Sequence, residues 1–198
     1  MKIVRYITLF LVILLPLHSN ARTIGNNIGI GSGSLKLKSN ENQMLHKSDA
    51  AKNAYLHTFY KYNWNIDDFI VAVEFFYDYI NIKSFVDNSN TIHLKYRAGV
   101  NLNIGYDIME DISIYTIIGL GVVKYRAINT SKDYFDKKDE AKFKGLFGFG
   151  IGYDLTDTWK INVEYSHQNI NINFYENNGA YKFKNNINSI KTSLIYKF

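Results

Sequence analysis

The chain has 198 residues, no cysteine, one proline and 16% aromatic side chains, and its 23 basic against 18 acidic residues give a formal charge of +5. Such a length fits one domain. The lack of cysteine excludes a disulfide framework and a lipoprotein acylation site, and the scattered charges exclude a nucleic-acid-binding class, which would gather them on one face.

The first residues read as an export signal. Lys2 and Arg5 form a basic start, Ile7 to Leu17 is an apolar run shorter than the ~20 residues of a helical span, and Ser19-Asn20-Ala21 supplies small residues before a cleavage point. The expectation is a signal peptide over 1–21 and a mature domain over 22–198. Removing Lys2 and Arg5 lowers the formal charge to +3. No later stretch resembles a helical span, so membrane insertion would have to occur as a closed barrel.

From residue 27 onward the pattern has a period of two, the side-chain period of a strand. The first segment, 27–38, is the least regular, and a register slip is expected near Ser32–Ser34. In 54–65, Leu56, Thr58, Tyr60, Tyr62 and Trp64 alternate with His57, Phe59, Lys61 and Asn63. In 68–80, Phe69, Val71, Val73, Phe75, Tyr77 and Tyr79 alternate with Ile70, Ala72, Glu74, Phe76 and Asp78. In 91–106, every even position from Ile92 to Tyr106 is apolar or aromatic, while the odd ones include His93, Lys95, Arg97, Asn101 and Asn103. Segments 111–126, 142–154, 158–174 and 185–198 behave alike. That gives eight strands, joined alternately by short turns (65–67, 107–110, 155–157) and by longer polar loops (39–53, 81–90, 127–141, 175–184). Alternating short turns and long loops mark a transmembrane barrel with its long loops outside. The predicted fold is therefore all-β: an eight-stranded antiparallel transmembrane β-barrel, an up-and-down meander.

A soluble eight-stranded barrel would bury its apolar set and expose its polar one. Here the polar set is rich in glycine and charge, which suits a crowded lumen, and Trp64, Phe69, Tyr106, Tyr153, Trp159 and Phe198 gather near the short-turn ends as an interfacial belt would. Membrane lipid is thus the expected surroundings.

Within the lumen, a hairpin register summing to about 171 between the third and fourth strands places Glu74 opposite Arg97 and Asp78 opposite His93. These pairs would form a structural ion-pair plug, with Lys61, Lys95 and Glu164 as network partners. A gate in a narrow ion path is the functional alternative, but eight strands leave an interior that side chains nearly fill. Ser166 and His167 beside Glu164 suggest catalysis, yet adjacent strand residues point to opposite faces, so they form no dyad. No enzyme activity, cofactor or metal site is expected. Of the loops, 127–141 carries Lys132, Tyr134, Phe135, Lys137 and Lys138, aromatics set among charges in a pattern that can anchor a protein partner. A solvated rim is the plainer reading of the same residues.

The last strand ends on Phe198, preceded at every second position by Tyr196, Leu194, Thr192 and Ile190. This ending resembles the C-terminal signal by which outer-membrane barrels are handed to the barrel assembly machinery. Together with Gly148-Phe149-Gly150-Ile151-Gly152-Tyr153-Asp154-Leu155-Thr156-Asp157, Val163-Glu164-Tyr165, and Ile114-Tyr115 leading to Gly119-Leu120-Gly121-Val122, it resembles the opacity-like porin family. The asparagine-, isoleucine-, lysine- and tyrosine-rich composition is similar to that of small surface antigens of rickettsia-like bacteria. The resemblance implies an outer-membrane location after export through the inner membrane, and a surface antigen or adhesin meeting a host surface or matrix protein through its loops. A narrow channel or a purely structural role is the second implication, and a lipid A-modifying enzyme a distant third. With no room after Phe198 for a wall-binding domain, that family role is not expected.

Overall fold

In the computed structural model the described residues are 23–41, 51–66, 68–85, 90–131, 134–176 and 179–198; the expected signal peptide lies outside them. They form eight antiparallel strands: β1 (Thr23–Glu41), β2 (Ala51–Ile66), β3 (Phe69–Phe85), β4 (Asn90–Met109), β5 (Ile112–Ser131), β6 (Tyr134–Asp154), β7 (Trp159–Glu176) and β8 (Gly179–Lys197). Each pairs with its sequence neighbour, and β1 pairs with β8 to close the barrel. The ring is tied at the short-turn end, where Asn26 and Phe198 exchange backbone hydrogen bonds of 3.0 and 2.9 Å. The turn after β6 is held by Thr156 Oγ1, which accepts from the Trp159 amide at 3.0 Å.

The strands run longer than the alternation predicts, because the face that is apolar changes along them. Through the lower and middle barrel the outward positions are greasy: Ile28, Ile30, Phe69, Val100, Leu102, Ile104, Ile118, Phe149 and Leu194 are all exposed. Toward the long-loop end the faces trade roles. Leu35 and Leu37 on β1, Ile80 and Ile82 on β3, Val123 and Tyr125 on β5, and Ile170 and Ile172 on β7 point inward, at 1% exposure or less. Lys36, Lys38, Lys83, Lys124, Arg126, Asn169 and Asn171 take the outward positions between them. A barrel is inside-out in lipid and ordinary in water, so the reversal marks where the wall leaves the apolar layer. The slip expected near Ser32–Ser34 is this reversal. The β1–β2 register runs unbroken from Thr23↔Asn65 to Leu37↔Ala51.

In β4 the same reversal hides behind a β-bulge. The register with β5 shifts between Leu94 and Tyr96, which turns Ile92 and Leu94 into the lumen and His93 outward, while Tyr96, Ala98 and Val100 face out. Bulge and reversal cancel in the sequence, leaving the even positions apolar across both.

One wall is incomplete. β6 and β7 pair only from Leu146↔Gln168 down to Asp154↔Lys160. Beyond that level, among the described residues, β6 pairs only with β5 and β7 only with β8, which leaves an unpaired seam between 134–145 and 169–176. At its foot the Gln168 side-chain amide donates to the Lys144 carbonyl at 3.1 Å.

Candidate functional site: a sealed lumen beneath an open rim

The lumen is blocked by a lattice of buried charge. The β3–β4 register sums to 175 rather than 171, so Asp78 lies opposite Arg97 and Glu74 opposite Asn101. Arg97 donates from Nε and Nη2 to Asp78 Oδ2 at 2.7 and 2.6 Å, with both residues buried. Its guanidinium carbon lies 5.7 Å from the Phe76 ring centroid. The expected Glu74–Arg97 and Asp78–His93 pairings are thus replaced. β3 runs on to Phe85, which pairs with Thr91, so the hairpin turns later than the centre of the expected 81–90 loop and the register moves with it; a bulge at Lys95 then carries His93 out of the lumen. There its Nε2 meets Asn81 Oδ1 at 2.7 Å, and partial burial with the neighbouring Lys83, Lys95 and Arg126 charges lowers its pKa.

Glu74 has its own partners. Its carboxylate accepts from Asn101 at 2.8 Å and Asn103 at 3.3 Å and pairs with Lys61 at 2.9 Å. Glu164 accepts from the Tyr115 hydroxyl at 2.6 Å and pairs with Lys191 at 2.7 Å. Lys191 also donates to His57 Nε2 at 2.9 Å, and His57 Nδ1 lies 2.6 Å from Asp78 Oδ1. An ammonium can only donate, so Nε2 is the acceptor and the imidazole proton sits on Nδ1, donating to Asp78. The lattice therefore runs continuously from Arg97 through Asp78, His57 and Lys191 to Glu164, Glu74 and Lys61. Glu74, Asp78 and Glu164 balance Lys61, Arg97 and Lys191 when His57 is neutral, which suits a site that must not carry net charge in a low-dielectric wall.

Lys61 and Glu164 were legible as lumen partners from their strand positions. Lys95 was not one of them: the bulge places it outside, 3.1 Å from Asp139, which also takes the Arg126 fork at 2.7 and 2.8 Å. Lys191 and His57, the links that join the two halves, are not among the expected lumen partners. Inward parity in β2 and β8 would have flagged both.

Above this lattice sits the inverted apolar cluster, with Leu35, Ile82, Leu94, Tyr125, Ile172 and Ile187 at no more than 1% exposure. Below it, a vestibule of about 390 Å³ opens at the short-turn end among Asn63, Asp107, Asp154, Lys160 and Lys197. It narrows to a void of about 30 Å³ beside Lys61, Tyr115 and Asn162, room for about one water. An apolar groove of about 770 Å³ lies on the wall among Ile28, Ile30, Tyr60, Tyr77, Trp159 and Leu194, outward residues that face lipid rather than any path through the barrel.

The segment expected as a loop over 127–141 is mostly strand, since β5 runs to Ser131 and β6 starts at Tyr134. Lys132 falls outside the described residues, and only the backbone of Tyr134, Phe135 and Lys137 is described. Lys138 is exposed, 2.9 Å from Glu140. Glu140 accepts from the Tyr125 hydroxyl at 2.6 Å, and that bond, with Lys138 and Lys142 nearby, lowers its pKa to about 2. Ser166 and His167 point to opposite faces: Ser166 bonds Ser189 at 2.6 Å in the lumen, and His167 bonds Asn188 at 2.7 Å on the outside. Along β8, Ile190, Thr192, Leu194 and Tyr196 are exposed as their alternation requires, and Phe198 follows at 62% exposure. Tyr196 stacks on Phe198 at 6.0 Å and meets the Trp159 ring tilted at 5.1 Å.

A family model described as outer membrane protein beta-barrel domain matches residues 7–198. The chain belongs to that family. It is a protein of the outer membrane, and membrane lipid surrounds its apolar wall. Among solved structures it is similar to Ail, the attachment invasion locus protein of Yersinia pestis, crystallised with the heparin analogue sucrose octasulfate: 17% identity over 88% of this chain and 99% of Ail, TM-score 0.53. It is also similar to OprG of Pseudomonas aeruginosa (14% identity, 88% and 96% covered, TM-score 0.49) and to neisserial surface protein A (13%, 84% and 95%, TM-score 0.45). No curated protein matches.

Proposed function

We propose that this chain is a surface-exposed antigen of the adhesin type, working through the outer ends of its strands and their loops rather than by passing solutes. The observation that carries the reading is the seam: beyond Leu146 and Gln168, β6 and β7 continue with facing backbone edges that no strand among the described residues pairs with. An unpaired edge is a template for an added strand, so an extended segment of a host surface or matrix protein is the partner it suits. The seam opens where the outward face of β7 turns polar, at His167, Asn169 and Asn171, which puts the edges in water beside the membrane. The sealed lumen argues against a channel. The reading includes export by a signal cleaved after Ala21, assembly through the C-terminal strand by the barrel assembly machinery, and no catalytic role.

Surface expression in a non-adherent bacterium tests it. Cells displaying the wild-type chain are expected to bind cultured host cells or immobilised matrix protein, and replacing 132–140 by a glycine–serine linker should abolish binding while the barrel stays heat-modifiable on gels. Surface-labelled wild-type cells that adhere to neither would end the adhesin reading. Ail's complex with a heparin analogue adds a sulfated glycan as a second partner class, which heparinase treatment of the target cells would separate.

A further inference from the structure

We propose that the vestibule at the short-turn end is a binding site for a small alkylammonium ion, with a primary diamine as its best-suited guest. Its lining carries three carboxylates, Asp107, Asp154 and Asp157, against two ammonium groups, Lys160 and Lys197, an excess of one negative charge. Both lysines are already engaged with the chain. Lys160 donates to Ser113 Oγ at 2.7 Å and lies 3.8 Å from Asp154, and Lys197 lies 3.2 Å from the same carboxylate. Asp107 and Asp157 take part in no ion pair among the described residues. What these charges leave unfilled is acceptor capacity, and only a donor can fill it. The Asp107 amide donates to the Asp68 carbonyl at 2.9 Å and the Asp154 amide to the Asp111 carbonyl at 2.8 Å, so both carboxylates stand on pinned backbone before any guest arrives.

The floor points the same way. Asn103 and Asn162 are each 2% exposed, line the small void beneath the vestibule, and have amide oxygens without a hydrogen-bond partner. The Asn103 amide nitrogen is spent on Glu74 at 3.3 Å, so its oxygen is the end left over. Buried acceptors of this kind cost free energy until a donor reaches them. One water in the void can donate to both and turn its lone pair up to an N–H of the guest. Above it there is open space, since a Cβ on Gly25 would meet nothing within 4 Å, and Ile70 and Phe198 give an alkyl chain apolar walls. A bare metal ion suits the site less. Among the described residues no three His, Cys, Asp or Glu side chains are grouped to hold one, and a cavity of about 390 Å³ has room for a chain of several carbons. A second ammonium at the far end of that chain would meet the rim, where Asp68, Glu110 and Asp111 are exposed.

The test is a calorimetric titration of the folded chain in detergent micelles with putrescine, beside butylamine, butanediol and succinate as probes of single, zero and opposite charge. Putrescine should bind, butylamine more weakly, and the other two not at all, with binding fading as salt rises. Asp107→Asn and Asp157→Asn should each weaken putrescine about tenfold. Asp139→Asn, which removes the same charge from the β5–β6 arm, should leave it unchanged. If Asp107→Asn fails to fold, as gel mobility would show, Asp157→Asn on the exposed turn carries the same expectation alone. No binding of putrescine, or binding that survives these substitutions, overturns the proposal. Butanediol bound as well as putrescine overturns it in favour of a neutral polyol, and succinate bound more tightly overturns it in favour of an anion held by Lys160 and Lys197. The vestibule and the β6–β7 seam lie at opposite ends of the barrel, so either reading can fail alone.

Discussion

Truncating Arg97 to alanine tests the lumen lattice most directly. The guanidinium is 2% exposed and supplies both donors to Asp78 Oδ2, while His57 reaches only Oδ1. Alanine would leave Oδ2 without a partner in a site already closed to bulk water. Removing one member of a buried ion pair costs about 3–5 kcal/mol. The bond to His57 survives, so the lower end, about 3 kcal/mol, is expected, with the lost contact over Phe76 included. The assay is urea unfolding of the folded barrel in detergent, followed by the fluorescence of Trp64 and Trp159, with gel mobility as a second probe. Double-mutant cycles make it specific to register. Coupling between positions 78 and 97 should reach about 2 kcal/mol or more, whereas coupling between 74 and 97 should be several-fold smaller. An Arg97→Ala barrel within about 0.5 kcal/mol of wild type, or a stronger coupling of Arg97 to Glu74 than to Asp78, would refute the lattice as described.

Gly150→Val should destabilise the barrel by about 1–3 kcal/mol, because a Cβ at that position lies 2.5 Å from the Tyr115 ring that serves Glu164; equal denaturation midpoints would contradict this. The outer β5–β6 arm should be acid-labile. Glu140 and Asp139 both have pKa values lowered by hydrogen bonds, to Tyr125 and to Arg126 respectively. Carboxylates lowered on folding stabilise fully above their unfolded pKa and lose that contribution as pH falls toward the folded one. Amide protection at 123–126 and 138–142 should therefore hold from pH 7 to about 5 and decline from about 4.5 toward 2; a loss confined to the range above pH 5 would point to another group. In planar bilayers the wild type should show no discrete conductance steps, since charge lattice and apolar cluster close the lumen in series; steady channels would mean that the lattice opens.

Alternation alone determined the all-β class, the eight strands, their order and the lipid-facing residues of the lower barrel, because in lipid every outward position must be apolar and every backbone group must pair. It also put Glu74, Asp78, Arg97, Lys61 and Glu164 in the lumen, since inward parity is a local property of each strand. What each charge meets was decided only by the tertiary structure. Pairing depends on register, and register across β3–β4 is set by where the hairpin turns, past Phe85, and by a bulge at Lys95 that leaves no mark in the sequence, because the wall's passage from lipid into water reverses the pattern at the same place. For the same reason Leu35 and Leu37 resembled a slip, and the reach of β5 and β6 resembled a loop. The seam between β6 and β7 is likewise a matter of which edges find each other, and a single strand's residues do not encode their neighbour's absence.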